Sequence, residues 1–499
     1  MEDFTEYLDV ASSRLGAGVL YANDEFFAEK ENLIKPEPAV FLEHEYTARG
    51  KWMDGWESRR RREPGYDFAL VRLATPSVLR GVVVDTAFFR GNYPEHCSLD
   101  ATWVDGYPGP EALLADDVEW TPVLPKSALA GDSPNRFSIA DPRAFNVVRL
   151  NIFPDGGVAR LRVHGEPVVR FGRLPVGAGL VDLAAALHGA RAIACSDSFF
   201  GPRNNLIMPG NARNMGEGWE TRRRRGPGHD WMVIRLAAHG IVRRVEIDTS
   251  FFKGNAPARG TLEGTFVADG ADPDDGAAWW PILDAALQPH TLHGFIDEVA
   301  DSPIATHARF SIFPDGGCAR LRLHGEIDEA ERLRQGTRVL DVMPEGRARR
   351  DLLACCGSAR WAEAMLASRP FRTFEALSSR ASDVWRGLSA DDWLEAFRAH
   401  PRIGEQREGQ DAHARWSRSE QARASTAAPE VREELARVNA EYEAKHGFVF
   451  LICAAGKSAE EMLAAAKQRL GSSREGELGV AAEQQRQITE LRLRRLLLS

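Results

Sequence analysis

Residues 159–164 alternate strictly between apolar and polar. Ala159, Leu161 and Val163 form one set, and Arg160, Arg162 and His164 the other. A period of two predicts a strand with one buried face. VVVD (82–85) and VEID (245–248) are short β-branched runs that also predict strands, and each feeds a Gly-Asn turn. PDGG, at 154–157 and 314–317, is turn chemistry: proline fixes φ and glycine permits positive φ. Many short strands with Gly/Pro punctuation predict a jelly roll or other β-sandwich. After Glu326 the alternation stops. Residues 329–347 are charged without strand periodicity and read as a linker. From Asp351 the period is helical, in LLACCGSARWAEAMLASRP (352–370), SADDWLEAFRAH (389–400), APEVREELARVNAEYEAKHG (428–447) and ITELRLRRLLLS (488–499). Ser389 and Asp392 have capping-box spacing, with Asp in place of Glu. Trp393, Leu394 and Phe397 give that helix an apolar stripe, and Ile488, Leu491 and Leu497 do so for the last one.

The strand-rich part is one module written twice. GWESRRRR (55–62) returns as GWETRRRR (218–225), and DTAFFRGN (85–92) returns at the same shift as DTSFFKGN (248–255). Upstream, DEFFAEKENLIKP (24–36) parallels DSFFGPRNNLIMP (197–209), with a longer following loop in the first copy. Downstream, IFPDGGVARLRVHGE (152–166) parallels IFPDGGCARLRLHGE (312–326). A fixed repeat of this kind sets the architecture. The expected fold is multidomain: two tandem all-β jelly-roll or β-sandwich domains (1–168 and 169–328), the linker, and an all-α domain (348–499).

Charge narrows the function. A net charge of -9 argues against a general nucleic-acid binder, and no apolar run is long enough to cross a membrane. The acidic start lacks the apolar region of a secretory signal. The six cysteines show neither CxxC spacing nor scaffold density, which predicts reduced thiols in a cytoplasm. Adjacent Cys355 and Cys356 read as half-buried filler.

Four consecutive arginines, set between Trp-Glu and Pro-Gly in both copies, suit planar grip on carboxylates and ureido oxygens. The alternatives are a solvated basic patch, or internal ion pairs with Glu57, Glu220, Asp67 or Asp230. Asp85 and Asp248 end apolar strands, where an Asp can cap its own turn or act as an acid-base group. His164 and His324 read as structural. Together GWE[ST]RRRR, DT-x-FF-x-GN and FPDGG-x-AR-x-R-x-HGE resemble allantoicase over residues 10–328. The resemblance implies paired jelly rolls that split allantoate into ureidoglycolate and urea, and it leaves the cofactor of that part open. Arg59, Arg60, Arg222 and Arg223 are the candidate substrate contacts. Glu57, Glu220, Asp85 and Asp248 are the candidate acid-base groups.

In the helical part, Pro401 biases His400 out of the preceding helix. Ser417, Glu420 and Gln421 fall at i, i+3 and i+4, on one face if helical. With RPF (369–371), GFVFLICAAGK (447–457) and ITELRLRRLL, these motifs resemble the decarboxylase of 2-oxo-4-hydroxy-4-carboxy-5-ureidoimidazoline (OHCU) over residues 345–499. The resemblance implies a cofactor-free helical enzyme yielding S-allantoin. It makes His400 and Glu420 catalytic candidates, and Pro401, Ser417, Gln421, Ile452, Cys453, Ala454 and Arg492 substrate contacts. Arg494 and Arg495 are alternatives to Arg492. The two resemblances share one pathway, in which a ring-opening hydrolysis separates the two reactions. No HxH-type metal-ligand set for that step appears. Small ureides are the expected partners, with a homo-oligomer and association with an allantoinase also expected. The competing reading is a tandem β-sandwich that binds a carbohydrate or other ligand, attached to a decarboxylase.

Overall fold

The computed structural model describes residues 3–173, 179–400 and 428–498. The chain divides into two compact units, one holding both repeats and the other residues 170–173 and 332–499. Each repeat is a β-sandwich built on a single 19-residue strand, Asp67–Asp85 in the first and Asp230–Asp248 in the second. VVVD and VEID are the ends of these strands, not separate short ones. Each long strand serves both layers. Residues 67–72 pair with 147–152 in one layer, and residues 77–85 pair with Arg160–Pro167 in the other. The second copy pairs 230–235 with 307–312, and 241–248 with 320–326.

The predicted alternation holds on the core side, where Ala159, Leu161 and Val163 are fully buried. The polar side differs from expectation. Arg160 is 1% exposed, because the segment around residues 37–54 covers it. Arg160 donates to the Glu37 and Asp54 carbonyls, both at 2.9 Å, and to the Asp54 carboxylate at 2.6 Å. The two repeats touch through Arg14 and Glu217, 2.9 Å apart.

The helical unit contains α1 (Glu329–Val342), α2 (Glu345–Cys356), α3 (Ala359–Leu366), α4 (Phe374–Arg386), α5 (Ala390–Arg398), α6 (Pro429–His446), α7 (Ala459–Leu470) and α8 (Arg474–Leu498). The expected linker is therefore largely helix α1. Its Leu333, Val339 and Leu340 are buried at helical spacing, which the surrounding charges masked. The last helix begins fourteen residues before Ile488, since Ala481, Ala482 and Gln485 form a buried face without large apolar side chains. The capping box at Ser389 and Asp392 is formed as expected. Cys355 and Cys356 are fully rather than half buried, and burial pushes the Cys356 thiol up to about 12.

Candidate functional sites

The repeated motifs converge in space. Trp56 and Glu57 pair antiparallel with Val158 and Gly157, so GWE lies against the FPDGG turn. Trp56 is fully buried, and its indole N–H donates to the Asp24 carbonyl at 2.8 Å. Gly55 is obligatory, since a Cβ there would lie 2.7 Å from both the Phe89 ring and the Val158 carbonyl. Asn92 joins the third motif to the first. Its Nδ2 donates to Glu57 Oε1 at 2.7 Å, and its carbonyl accepts from Gly157 N–H at 2.7 Å. The second repeat has the same joint, with Asn255 Nδ2 2.6 Å from Glu220 Oε1. Phe88 and Phe251 occupy equivalent positions with φ of 68° and 74°. Such strain in an aromatic residue persists only where its surroundings impose it, often at working sites.

The arginines divide by position in each run. The third is internal: Arg61 pairs with Asp67 at 2.8 Å, and Arg224 pairs with Asp230. The first is tied to the loop upstream. Arg59 donates from its backbone N–H and Nε to Asp24 at 2.9 and 2.7 Å, beside the Phe26 ring. Arg222 donates its backbone N–H to Asp197 at 2.7 Å and lies 4.0 Å from the centroid of Phe199. The side chains of Arg60 and Arg223 are exposed, with no ion pair among the described residues. An open groove of about 500 Å³ in the second repeat offers no such free charge, since its Arg259 and Arg309 are paired with Asp284 and Glu263.

Two features separate the clusters. Phe26 and Phe27 are 39% and 37% exposed, against 58% and 59% for Phe199 and Phe200. The cover comes from the longer loop of the first copy. Phe41 stacks on Phe88 with centroids 5.6 Å apart, and Arg49 Nη1 donates to the Phe26 carbonyl at 2.9 Å. Burial raises the Glu57 carboxyl above its ordinary pKa, with the Asn92 hydrogen bond opposing. Asp24 is displaced the other way. Burial would raise it, but hydrogen bonds from the Arg59 and Phe26 N–H groups and the Arg59 charge together lower it.

Other predicted residues take structural contacts. Asp85 and Asp248 cap their own turns, accepting from Ala87 N–H at 2.9 Å and Ser250 N–H at 2.8 Å. His164 Nδ1 lies 2.8 Å from the Tyr7 carbonyl, and His324 Nε2 lies 3.7 Å from Glu246.

In the helical unit, His400 follows α5, half-buried, with its N–H bonded to the Phe397 carbonyl at 3.0 Å. Pro401, Ser417, Glu420 and Gln421 lie outside the described residues. Ile452 and Cys453 are buried in the segment between α6 and α7, and Ala454 is half-buried. Arg492 is fully buried, whereas Arg494 is exposed. Among the described residues, no group of three or more His, Cys, Asp or Glu could hold a metal ion.

The allantoicase repeat model matches residues 8–168 and 181–328. The chain belongs to the allantoicase family. A probable allantoicase 2 of Burkholderia pseudomallei is 47% identical over 325 residues, covering 64% of this chain and 95% of the relative. A probable allantoicase of Nocardia farcinica is 48% identical over 325 residues, covering 65% and 95%. The crystal structure of Saccharomyces cerevisiae allantoicase aligns with a TM-score of 0.54 at 32% identity, over 64% of this chain and 93% of that one. The OHCU decarboxylase model matches residues 341–494. The chain is thus a bifunctional enzyme of ureide breakdown, an allantoicase followed by an OHCU decarboxylase.

Within the allantoicase part, sequence reasoning missed Asn92, Asn255, Asp24 and Asp197. All four lie in the repeated motifs. The Gly-Asn pair predicts a turn, yet its side-chain amide also holds the candidate acid.

Proposed function

We propose that the first repeat carries the hydrolysis of allantoate and that Glu57 is its general acid. The observation behind this choice is the Glu57 carboxyl, held by Asn92 at 2.7 Å, where burial favours the protonated form. Allantoate carries a carboxylate and two ureido groups on one carbon. In the reaction, water oxygen bonds to that carbon, one C–N bond breaks, and the leaving nitrogen gains a proton to depart as neutral urea. Glu57 delivers that proton and is reprotonated as the attacking water gives one up. Arg60 offers its exposed guanidinium to the carboxylate, and Arg59, fixed by Asp24, borders the ureido groups. The second repeat keeps the same joint beside the more exposed Phe199 and Phe200, and contributes binding through Arg222 and Arg223. Urea release by Glu57→Gln and Glu220→Gln variants, measured side by side, tests the assignment.

In the helical unit, His400 bonds the reacting carboxylate or 4-hydroxyl and supports loss of CO2, while the electrons pass to the substrate's own imine and carbonyl groups. Glu420 and Gln421 hold the ring and ureido N–H groups, and Arg492 donates to ring oxygens. Production of S-allantoin from OHCU by wild type and His400→Ala tests this half. An allantoinase recruited to the chain would join the two steps. A pull-down that recovers allantoinase supports recruitment, and one that repeatedly fails to do so contradicts it.

A further inference from the structure

The segment 449–454 forms neither helix nor strand, so its backbone groups need partners elsewhere. Two of them are held by side chains from different helices. The Leu451 carbonyl accepts from Arg469 Nη1 on α7 at 2.7 Å. The Cys453 N–H donates to Gln484 Oε1 on α8 at 2.9 Å. Arg469 is itself fixed. Its Nε donates to Glu477 Oε1 at 2.8 Å, and its guanidinium lies 4.7 Å from the Phe450 ring centroid. Glu477 is completely buried and also accepts from the Tyr442 hydroxyl. The segment is therefore pinned at residues 451 and 453, the spacing at which groups of an extended chain share a side. Between the pins, Ile452 is 8% exposed, and its N–H and C=O have no partner among the described residues. A nearly buried peptide group without a partner is costly unless a ligand satisfies it.

We infer that Gln484, together with the Arg469–Glu477–Tyr442 network, is a positioning device that presents the Ile452 peptide groups to the decarboxylase substrate. The inference rests on the decarboxylase reading and adds residues that do not touch substrate. The matching ligand chemistry is a cyclic amide, with one N–H donor and one carbonyl acceptor side by side on its edge. The OHCU ring and ureido group offer that pair.

The experiment uses the full-length chain. Gln484→Met removes the acceptor but keeps chain length and helix propensity, and Gln484→Glu keeps an acceptor oxygen in place. Loss of one hydrogen bond's worth of alignment should raise KM for OHCU about tenfold. Because the Ile452 contacts act on bound substrate and transition state alike, kcat should stay within about twofold. Gln484→Glu should keep the wild-type KM, and urea release from allantoate by the same preparations should be unchanged. A wild-type KM in Gln484→Met overturns the inference. So does a loss confined to kcat, which marks a fold defect, or a Gln484→Glu variant as impaired as Gln484→Met. If Gln484→Met fails to fold, Gln484→Asp carries the test, since it withdraws the acceptor by one methylene. A raised KM there supports the inference, and a wild-type KM overturns it. Failure of the decarboxylase reading itself would look different, as wild type would then make no S-allantoin.

Discussion

Replacing Glu57 with glutamine changes one atom and should separate catalysis from folding. The amide oxygen can still accept from Asn92 Nδ2, now 2.7 Å from Glu57 Oε1, so the joint between the motifs survives. The expected change in stability is within about 1 kcal/mol, the scale of a single hydrogen bond. Proton delivery is lost outright. General acid catalysis contributes about 10²–10⁴-fold, so urea release should fall by that factor, or about 3–5 kcal/mol of barrier. The pH dependence follows from the direction of the shift. Burial raises the Glu57 pKa, and the acid works when protonated, so wild-type kcat/KM should decline as pH rises through that raised value. In Glu57→Gln this limb should flatten. Urea release from allantoate, followed across pH alongside a thermal melt, reads both effects. Glu220→Gln should lose less than about threefold by this reasoning. Retention of half the activity in Glu57→Gln, or a larger loss in Glu220→Gln, would refute the assignment.

Three other substitutions probe the scaffold and the second activity. Asp54→Ala strands the buried Arg160 guanidinium, whose Nη2 lies 2.6 Å from the lost carboxylate, and should cost about 3–5 kcal/mol; an unchanged melt of the β unit contradicts it. His307 is held at about 4 by burial first and by Arg235 next, against about 6.5 when unfolded, so its stability contribution is present above 6.5 and is lost as pH falls toward 4. His307→Val, which installs the counterpart residue of the first repeat (Val147), should remove about 2–3 kcal/mol of that acid-side decline; an equally steep decline in the variant counts against the reading. His400→Ala should abolish S-allantoin formation while leaving urea release and the helical circular-dichroism signal intact, and full activity in this variant ends the decarboxylase mechanism.

The duplication and both families were legible because tight packing constrains the motifs that carry them. Gly55, Trp56, Asn92 and Gly157 meet within one joint, and the second copy rebuilds it with the same residue types. The long strands were less legible. VVVD and VEID predict short strands, yet each is the end of a 19-residue strand that changes layers along its length. Polarity misled at Arg160, where alternation predicts solvent but a distant loop supplies the hydrogen bonds. Helix α1 was hidden by charge and the start of α8 by small and amide side chains, because both bury faces that a count of large apolar residues does not register. Roles within the arginine run were invisible in sequence. Only the partners separate Arg61, paired with Asp67, from Arg60, which has none among the described residues.

The central claim is that one chain carries two ureide activities in separate units. Its most direct test is a two-substrate assay on the purified full-length protein, measuring urea from allantoate and S-allantoin from OHCU, with Glu57→Gln and His400→Ala as matched variants. The account predicts both activities in wild type, urea release lost only in Glu57→Gln, and S-allantoin formation lost only in His400→Ala. Absence of either activity from the wild-type chain, or loss of both from one substitution, would contradict it.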